Sequence, residues 1–154
     1  MRLPNYVKSK PKVGNFIPIL GNATSQTLYP NIYLSKYAYD NLNSSNPSPK
    51  HIAHLIHEET HLRRQKEHGT HLWVLKYIFN PRFRFQEELS ASVQQIRSLR
   101  KNNIPYDTEL IAKKLSGSLY LWPVTYDYAK SEIDKALGKI KISSNIFTQP
   151  LLNI

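Results

Sequence analysis

The sequence predicts an α+β domain dominated by helices, with a small N-terminal sheet and a polar site between two of the helices. Three observations carry this reading. Apolar residues recur at helical spacing from about residue 49 onward. The N-terminal third is instead proline-punctuated, with Pro4, Pro11, Pro18 and Pro30. The remainder carries repeated helix start and stop signals. The chain has 154 residues, 40% of them hydrophobic, with two Trp, ten Tyr and five Phe. That is long enough to bury one sizeable core and too apolar for a disordered chain. We read residues 1–154 as one domain, with 1–12 and 139–154 as tails.

Taken in order, Phe16–Leu20 and Asn31–Leu34 are the strand candidates, the second with β-branched and aromatic character. Ser44–Pro49 is a loop, rich in Ser, Asn and Pro. Ser48 followed by Pro49 forms an N-cap and first-turn pair. From there Ile52, Leu55, Ile56 and Leu62 give one apolar flank, and Gly69 supplies a stop, so a helix runs over roughly 49–68. A second helix is expected over 71–79, closed by Asn80–Pro81, and a third over about 83–102. Asp107–Thr108 and Thr125 are N-caps for further helices. Gly138 is expected to end the last of them, leaving 139–154 as a tail with weak strand character. No internal repeat or low-complexity linker is present.

The first of these helices holds His57-Glu58-Glu59-Thr60-His61, an H-E-x-x-H pentad. Residues four apart share one helix face, so both imidazoles can reach a single metal ion, with about 6 Å of axial rise between their Cα atoms. Glu58 points beside that face, placed to accept a proton from water rather than to bind the metal. The bland alternative is a histidine-bearing solvated face. His51, His54, His68 and His71 are read as surface or supporting residues. With no cysteine in the chain, any metal must use His, Asp or Glu.

A catalytic zinc site usually has three protein ligands and one open position. Glu87 and Glu88, at the start of the third helical pattern, offer two carboxylates for the third ligand. Their side chains diverge by about 100°, so they do not share one metal. The competing reading for either is an exposed residue paired with Arg82, Arg84 or Arg97.

At this point the residues resemble the zincin metallopeptidases of the gluzincin type, which place a Glu on a helix downstream of H-E-x-x-H, often as E-x-x-A-D. Glu88-Leu89-Ser90-Ala91-Ser92 matches E-x-x-A and departs at Ser92, where the family has an acid that supports a ligand histidine. The resemblance assigns the third ligand to Glu88 and leaves Glu87 as its neighbour. The wider pattern over about 30–110 is similar to small predicted zinc peptidases carried by tailed bacteriophages. It implies a compact zincin-like fold, bound Zn2+ on His57, His61 and Glu88, and a peptide or protein substrate. It also implies that an N-terminal edge strand can pair with an extended peptide.

The reaction that follows is metal-assisted peptide hydrolysis with Glu58 as general base. An oxyanion donor is needed as well, and His71, Tyr77, Tyr106, Tyr120 and Tyr126 are the unranked candidates. Ser92 keeps open a catalytically silent zinc-binding structural or interaction protein of a phage particle.

The net charge of +10 favours acidic partners. Lys and Arg are spread along the chain, without zinc-finger spacing, an RNP-like strand or a helix-turn-helix. A solvated basic surface with non-specific affinity for nucleic acid is the reading, and a dedicated nucleic-acid-binding module is the alternative. No run approaches the length of a transmembrane helix and Met1–Lys12 lacks the apolar stretch of a signal peptide. The expected location is the host cytoplasm or the virion.

Overall fold

A computed structural model describes residues 3–11, 25–121 and 123–145, with side chains for all of these except 119 and 139–145. The strand expected at 16–20 lies outside the described residues.

Three short strands form the sheet: β1 (Val7–Ser9), β2 (Gln26–Leu28) and β3 (Asn31–Leu34). Their order is β1-β3-β2, with β1 parallel and β2 antiparallel to β3. Thr27 stands opposite Ile32, and Val7 opposite the same Ile32 on the other side. The expected tail at 1–12 therefore contributes a strand. Burial of Leu3 and Val7 holds it, and the Ile32 amide donates to the Tyr6 carbonyl at 2.8 Å. A three-residue strand is too short to show a period of two in sequence.

Helix α1 (Lys36–Asn43) follows directly. The Ser35 side chain caps it by accepting from the Ala38 amide, while Ala38 and Leu42 turn inward. The sequence reading missed this helix. α2 spans Pro49–His68, with Ser48 at its N-cap, Pro49 in the first turn and Gly69 at φ 77° ending it. That φ lies in the region where glycine is favoured, which is why the chain can turn at once into α3 (Thr70–Phe79). Asn80 closes α3 and caps α4 (Pro81–Lys101), its Oδ1 accepting from the Phe83 amide at 3.0 Å.

Asp107 Oδ1 accepts from the amides of Glu109 and Leu110, both at 2.9 Å, and opens α5 (Thr108–Leu115). A 3₁₀ turn at Ser118–Tyr120 leads to α6 (Tyr126–Asn145). α6 does not stop at Gly138 but continues through it. Glycine costs a helix interior only about 1 kcal/mol, and Ala129, Ile133 and Leu137 anchor the face before it. No helix among the described residues is long and apolar enough to cross a membrane.

The core is divided. Leu3, Val7, Ile32, Leu34, Ala38, Leu42 and Leu55 pack between the sheet, α1 and α2. Phe85, Ile96, Ala112, Leu115, Ala129, Ile133 and Leu137 pack among α4, α5 and α6. Between these two apolar clusters, α2 and α4 lie against each other. His61, Glu87, Glu88 and Ser92 are buried at their seam, and Glu58 and Gln65 are buried where α2 meets β2. Burying charged and polar groups is costly unless each is paired, so a polar layer between two apolar ones demands a chemical explanation.

Candidate metal centre

α2 presents His57 and His61 one turn apart, and α4 brings Glu88 against them. The two Nε2 atoms are 3.2 Å apart. His57 Nε2 lies 3.5 Å from Glu88 Oε2, and His61 Nε2 lies 3.3 Å from Glu88 Oε1. The two Glu88 distances are to different carboxylate oxygens; with one donor atom taken from each residue, the three lie within 4.8 Å of one another. The three side chains thus form a group that could hold a metal ion. Glu88 Oε2 is buried without a hydrogen-bond partner, as expected of a ligand oxygen rather than a structural one.

The electrostatics of the cluster agree with the geometry. Burial raises the Glu88 carboxyl, but the neighbouring imidazoles, His61 first and then His57, outweigh it and hold the group well below its ordinary value. Burial likewise lowers His61, and Glu88, with Glu58 and Glu87 behind it, outweighs this and raises the imidazole. The carboxylate is thus kept ionised as a donor, whereas His61 has to give up its proton before its ring nitrogen can bind a metal ion.

Of the two adjacent carboxylates, Glu88 alone faces the histidines. Glu87 is 0% exposed and takes a different set of partners. Arg64 grips it with two bonds, Nε to Oε2 at 2.5 Å and Nη2 to Oε1 at 2.6 Å, and the Trp73 indole donates to Oε2 at 3.0 Å. Neither glutamate is the exposed, Arg82-, Arg84- or Arg97-paired residue of the bland reading. The Glu87–Arg64 pair clamps α4 to α2 one turn from His61. Trp73 then packs edge-on against His61 at 5.8 Å and stacks on Tyr77 at 4.7 Å.

Glu58 shares the same cleft but is held from the opposite side. Thr27 on β2 donates its hydroxyl to Glu58 Oε2 at 2.7 Å, and His54 Nε2 stands 3.7 Å from Oε1. Gln65, fully buried, fastens β2 to α2: its Nε2 donates to the Thr27 carbonyl at 2.9 Å and its Oε1 accepts from the Tyr29 amide at 2.8 Å. Thr27 is thereby fixed, and with it the carboxylate. His54 bonds Ser25 Oγ at 2.8 Å, and its imidazole is lowered by burial against the opposing pull of Glu58. Gln65, Thr27 and Arg64 carried no signal in the sequence, because their roles exist only across elements distant in the chain.

Among the five oxyanion candidates, Tyr77, Tyr106 and Tyr120 line the cleft of about 570 Å³, whereas His71 is exposed and Tyr126 is 36% exposed. Tyr106 is engaged by Arg100, whose Nε donates to its hydroxyl at 2.8 Å. Tyr77 donates to Glu88 Oε1 at 2.5 Å. Burial and then the charge of Glu88 push the hydroxyls of both Tyr77 and Tyr120 well above their ordinary value.

One residue places both of these tyrosines. Arg84, 2% exposed, donates from Nη1 to the carbonyls of Tyr77 at 2.7 Å and Ile78 at 2.9 Å. Its Nε donates to the Tyr120 carbonyl at 2.9 Å. A cation at the C-terminal carbonyls of α3 is favourable for the helix dipole as well. Gly117 permits the turn that delivers Tyr120, since a Cβ there would lie 2.8 Å from the Lys113 carbonyl oxygen.

Ser92, at which the sequence departs from the gluzincin pattern, is buried beside the site. The Nδ1 atoms of His57 and His61 are buried and have no hydrogen-bond partner. The rings are oriented by packing instead, His61 by Trp73 and Tyr77, and His57 by His54 at 6.2 Å.

No protein-family profile, curated protein or solved structure matches this chain.

Proposed function

We propose that this chain is a zinc-dependent, metallopeptidase-like hydrolase of the gluzincin type. The observation that carries the reading is the convergence of His57, His61 and Glu88 at 3.2–3.5 Å, with Glu58 in the same cleft but outside the donor set. Two imidazoles and one carboxylate are a donor set that suits zinc. His57 and His61 would hold the ion from α2 and Glu88 from α4.

When bound, zinc supplies a Lewis acid that polarises a carbonyl and acidifies water. The rest belongs to the chain. Glu58, oriented by Thr27, accepts the proton of the attacking water and returns it to the leaving amine. Tyr120 donates to the developing oxyanion from the cleft wall, while the deeper Tyr77 keeps Glu88 oriented. A peptide or unfolded protein segment is the substrate class. By its resemblance the protein belongs to a phage, acting in the host cytoplasm or carried in the virion.

Glu58→Gln tests this reading. The variant retains zinc and loses hydrolysis of an unfolded protein substrate by about 10²-fold or more. A variant that cleaves as fast as the wild type removes Glu58 as the base.

One observation favours a second reading, a catalytically silent zinc-binding protein. Neither ligand imidazole has a partner at Nδ1, and such partners usually tune catalytic metal sites. This reading predicts bound zinc, no cleavage of any peptide library, and a stoichiometric partner.

A further inference from the structure

α3 has two unlike faces. Trp73 and Tyr77, 3% and 4% exposed, turn toward Glu87, Glu88 and His61 and form a wall of the candidate metal centre. Leu72, Leu75 and Phe79 turn outward and are 52%, 55% and 76% exposed. With Lys76 they stand at i, i+3, i+4 and i+7, a single stripe along the helix. Scattered apolar residues on a surface need no explanation, but three large ones on one face of a ten-residue helix do.

The charge along this segment is of one sign. From His68 to Gln86 the sequence contains no Asp or Glu, while Lys76 lies within the stripe and His71 and Arg82 flank it, both exposed. Lys76 rests over the Phe83 ring at 5.8 Å, its ammonium kept beside the apolar residues. Glu67, the nearest acid before this segment, is neutralised by Arg63 at 3.0 Å. The whole chain carries +10.

We infer that the outer face of α3 docks on an anionic lipid surface. Leu72, Leu75 and Phe79 enter the boundary between headgroups and acyl chains, and Lys76 and Arg82 meet the headgroup phosphates. Charge and apolarity together select this occupant. Nucleic acid would satisfy the cations and leave the leucines and Phe79 in water. A second copy of the chain would bring +10 against +10. Docking here would set the membrane directly behind Trp73 and Tyr77, leaving the cleft on the far side of α3 open. The inference does not depend on catalysis.

The test is co-sedimentation of the full chain with vesicles of phosphatidylcholine alone and of phosphatidylcholine mixed equally with phosphatidylglycerol. The wild type partitions onto the anionic vesicles at least about tenfold more strongly than onto neutral ones, and added salt weakens it. The double variant Leu75→Ser/Phe79→Ser keeps the wild-type circular dichroism and loses at least about tenfold in partitioning. Tyr37→Ser, at another exposed aromatic, changes nothing. No binding to anionic vesicles overturns the inference, and so does binding that the double variant leaves intact, which would assign it to scattered basic charge. A wild-type dimer that the double variant disperses, without lipid binding, would reassign the face to a second copy.

Discussion

Glu87 and Glu88 are adjacent in sequence and meet different partners at the α2–α4 seam. Glu88 meets His57 and His61, whereas Glu87 is enclosed by Arg64 and Trp73. The turn of about 100° between neighbours on a helix gives two identical side chains different work, one in the group that could hold a metal ion and one as a brace. The brace fixes the rotation of α4 relative to α2, and so fixes where Glu88 points.

Removing half of that brace is costly. Arg64→Met leaves the fully buried Glu87 carboxylate with only the Trp73 indole, and unfolding free energy falls by about 3 kcal/mol. The double variant Arg64→Met/Glu87→Met recovers much of this loss, because no charge then remains buried. Urea denaturation of the four members of the cycle measures the coupling. Additive losses would show that the pair does not act as a clamp.

Arg84→Met strips three backbone carbonyls, those of Tyr77, Ile78 and Tyr120, of a charged donor. A loss of about 2–4 kcal/mol is expected, together with weaker order at the 3₁₀ turn that carries Tyr120. Hydrogen exchange of the 117–121 amides reads the second effect. Unchanged protection there would separate Arg84 from the placement of Tyr120.

Tyr120→Phe deletes one hydroxyl at the cleft wall. If it donates to the oxyanion, kcat falls about 10²-fold while KM and zinc content stay near wild type. Tyr77→Phe instead frees Glu88 Oε1 from its hydrogen bond and weakens zinc binding. A reversal of these two patterns would exchange the assigned roles.

Proton competition gives the pH dependence. Without metal, His61 is raised above its ordinary value, so it still carries a proton at a pH where a free imidazole has lost it. A ligand imidazole must be neutral, so binding releases that proton and affinity weakens as pH falls through the raised value. Glu88, held well below the carboxylate range, stays ionised throughout and adds no such dependence near neutrality. Calorimetric titration with zinc in two buffers of different ionisation enthalpy at neutral pH is expected to report release of up to about one proton. No release would place a neutral His61 in the free protein.

Local signals made much of this legible in the sequence. The span of α2 follows from Ser48, Pro49 and Gly69, and the spacing of His57 and His61 places two imidazoles of the candidate group on one face, whereas the choice of Glu88 over Glu87 rested on resemblance. What escaped depends on chain-distant pairing. β1 and β2 are three residues each, and Gln26 and Thr27 are polar, so neither strand shows an apolar alternation. α1 is only eight residues long, and its signals are a single cap at Ser35 and one buried pair, Ala38 and Leu42. The hold of Thr27 on Glu58 spans 31 positions, and that of Arg84 on the Tyr120 carbonyl spans 36. No periodicity within either segment encodes such a contact. α6 passed through Gly138 because packing of Ile133 and Leu137 outweighs one residue's propensity.

The most direct test of the central claim is zinc per chain, by elemental analysis, in the wild type, Glu88→Ala and Glu87→Gln purified side by side. About one zinc in the wild type and in Glu87→Gln, with a clear loss in Glu88→Ala, is the predicted result. No zinc in any of the three after zinc is supplied, or full retention in Glu88→Ala, would contradict it.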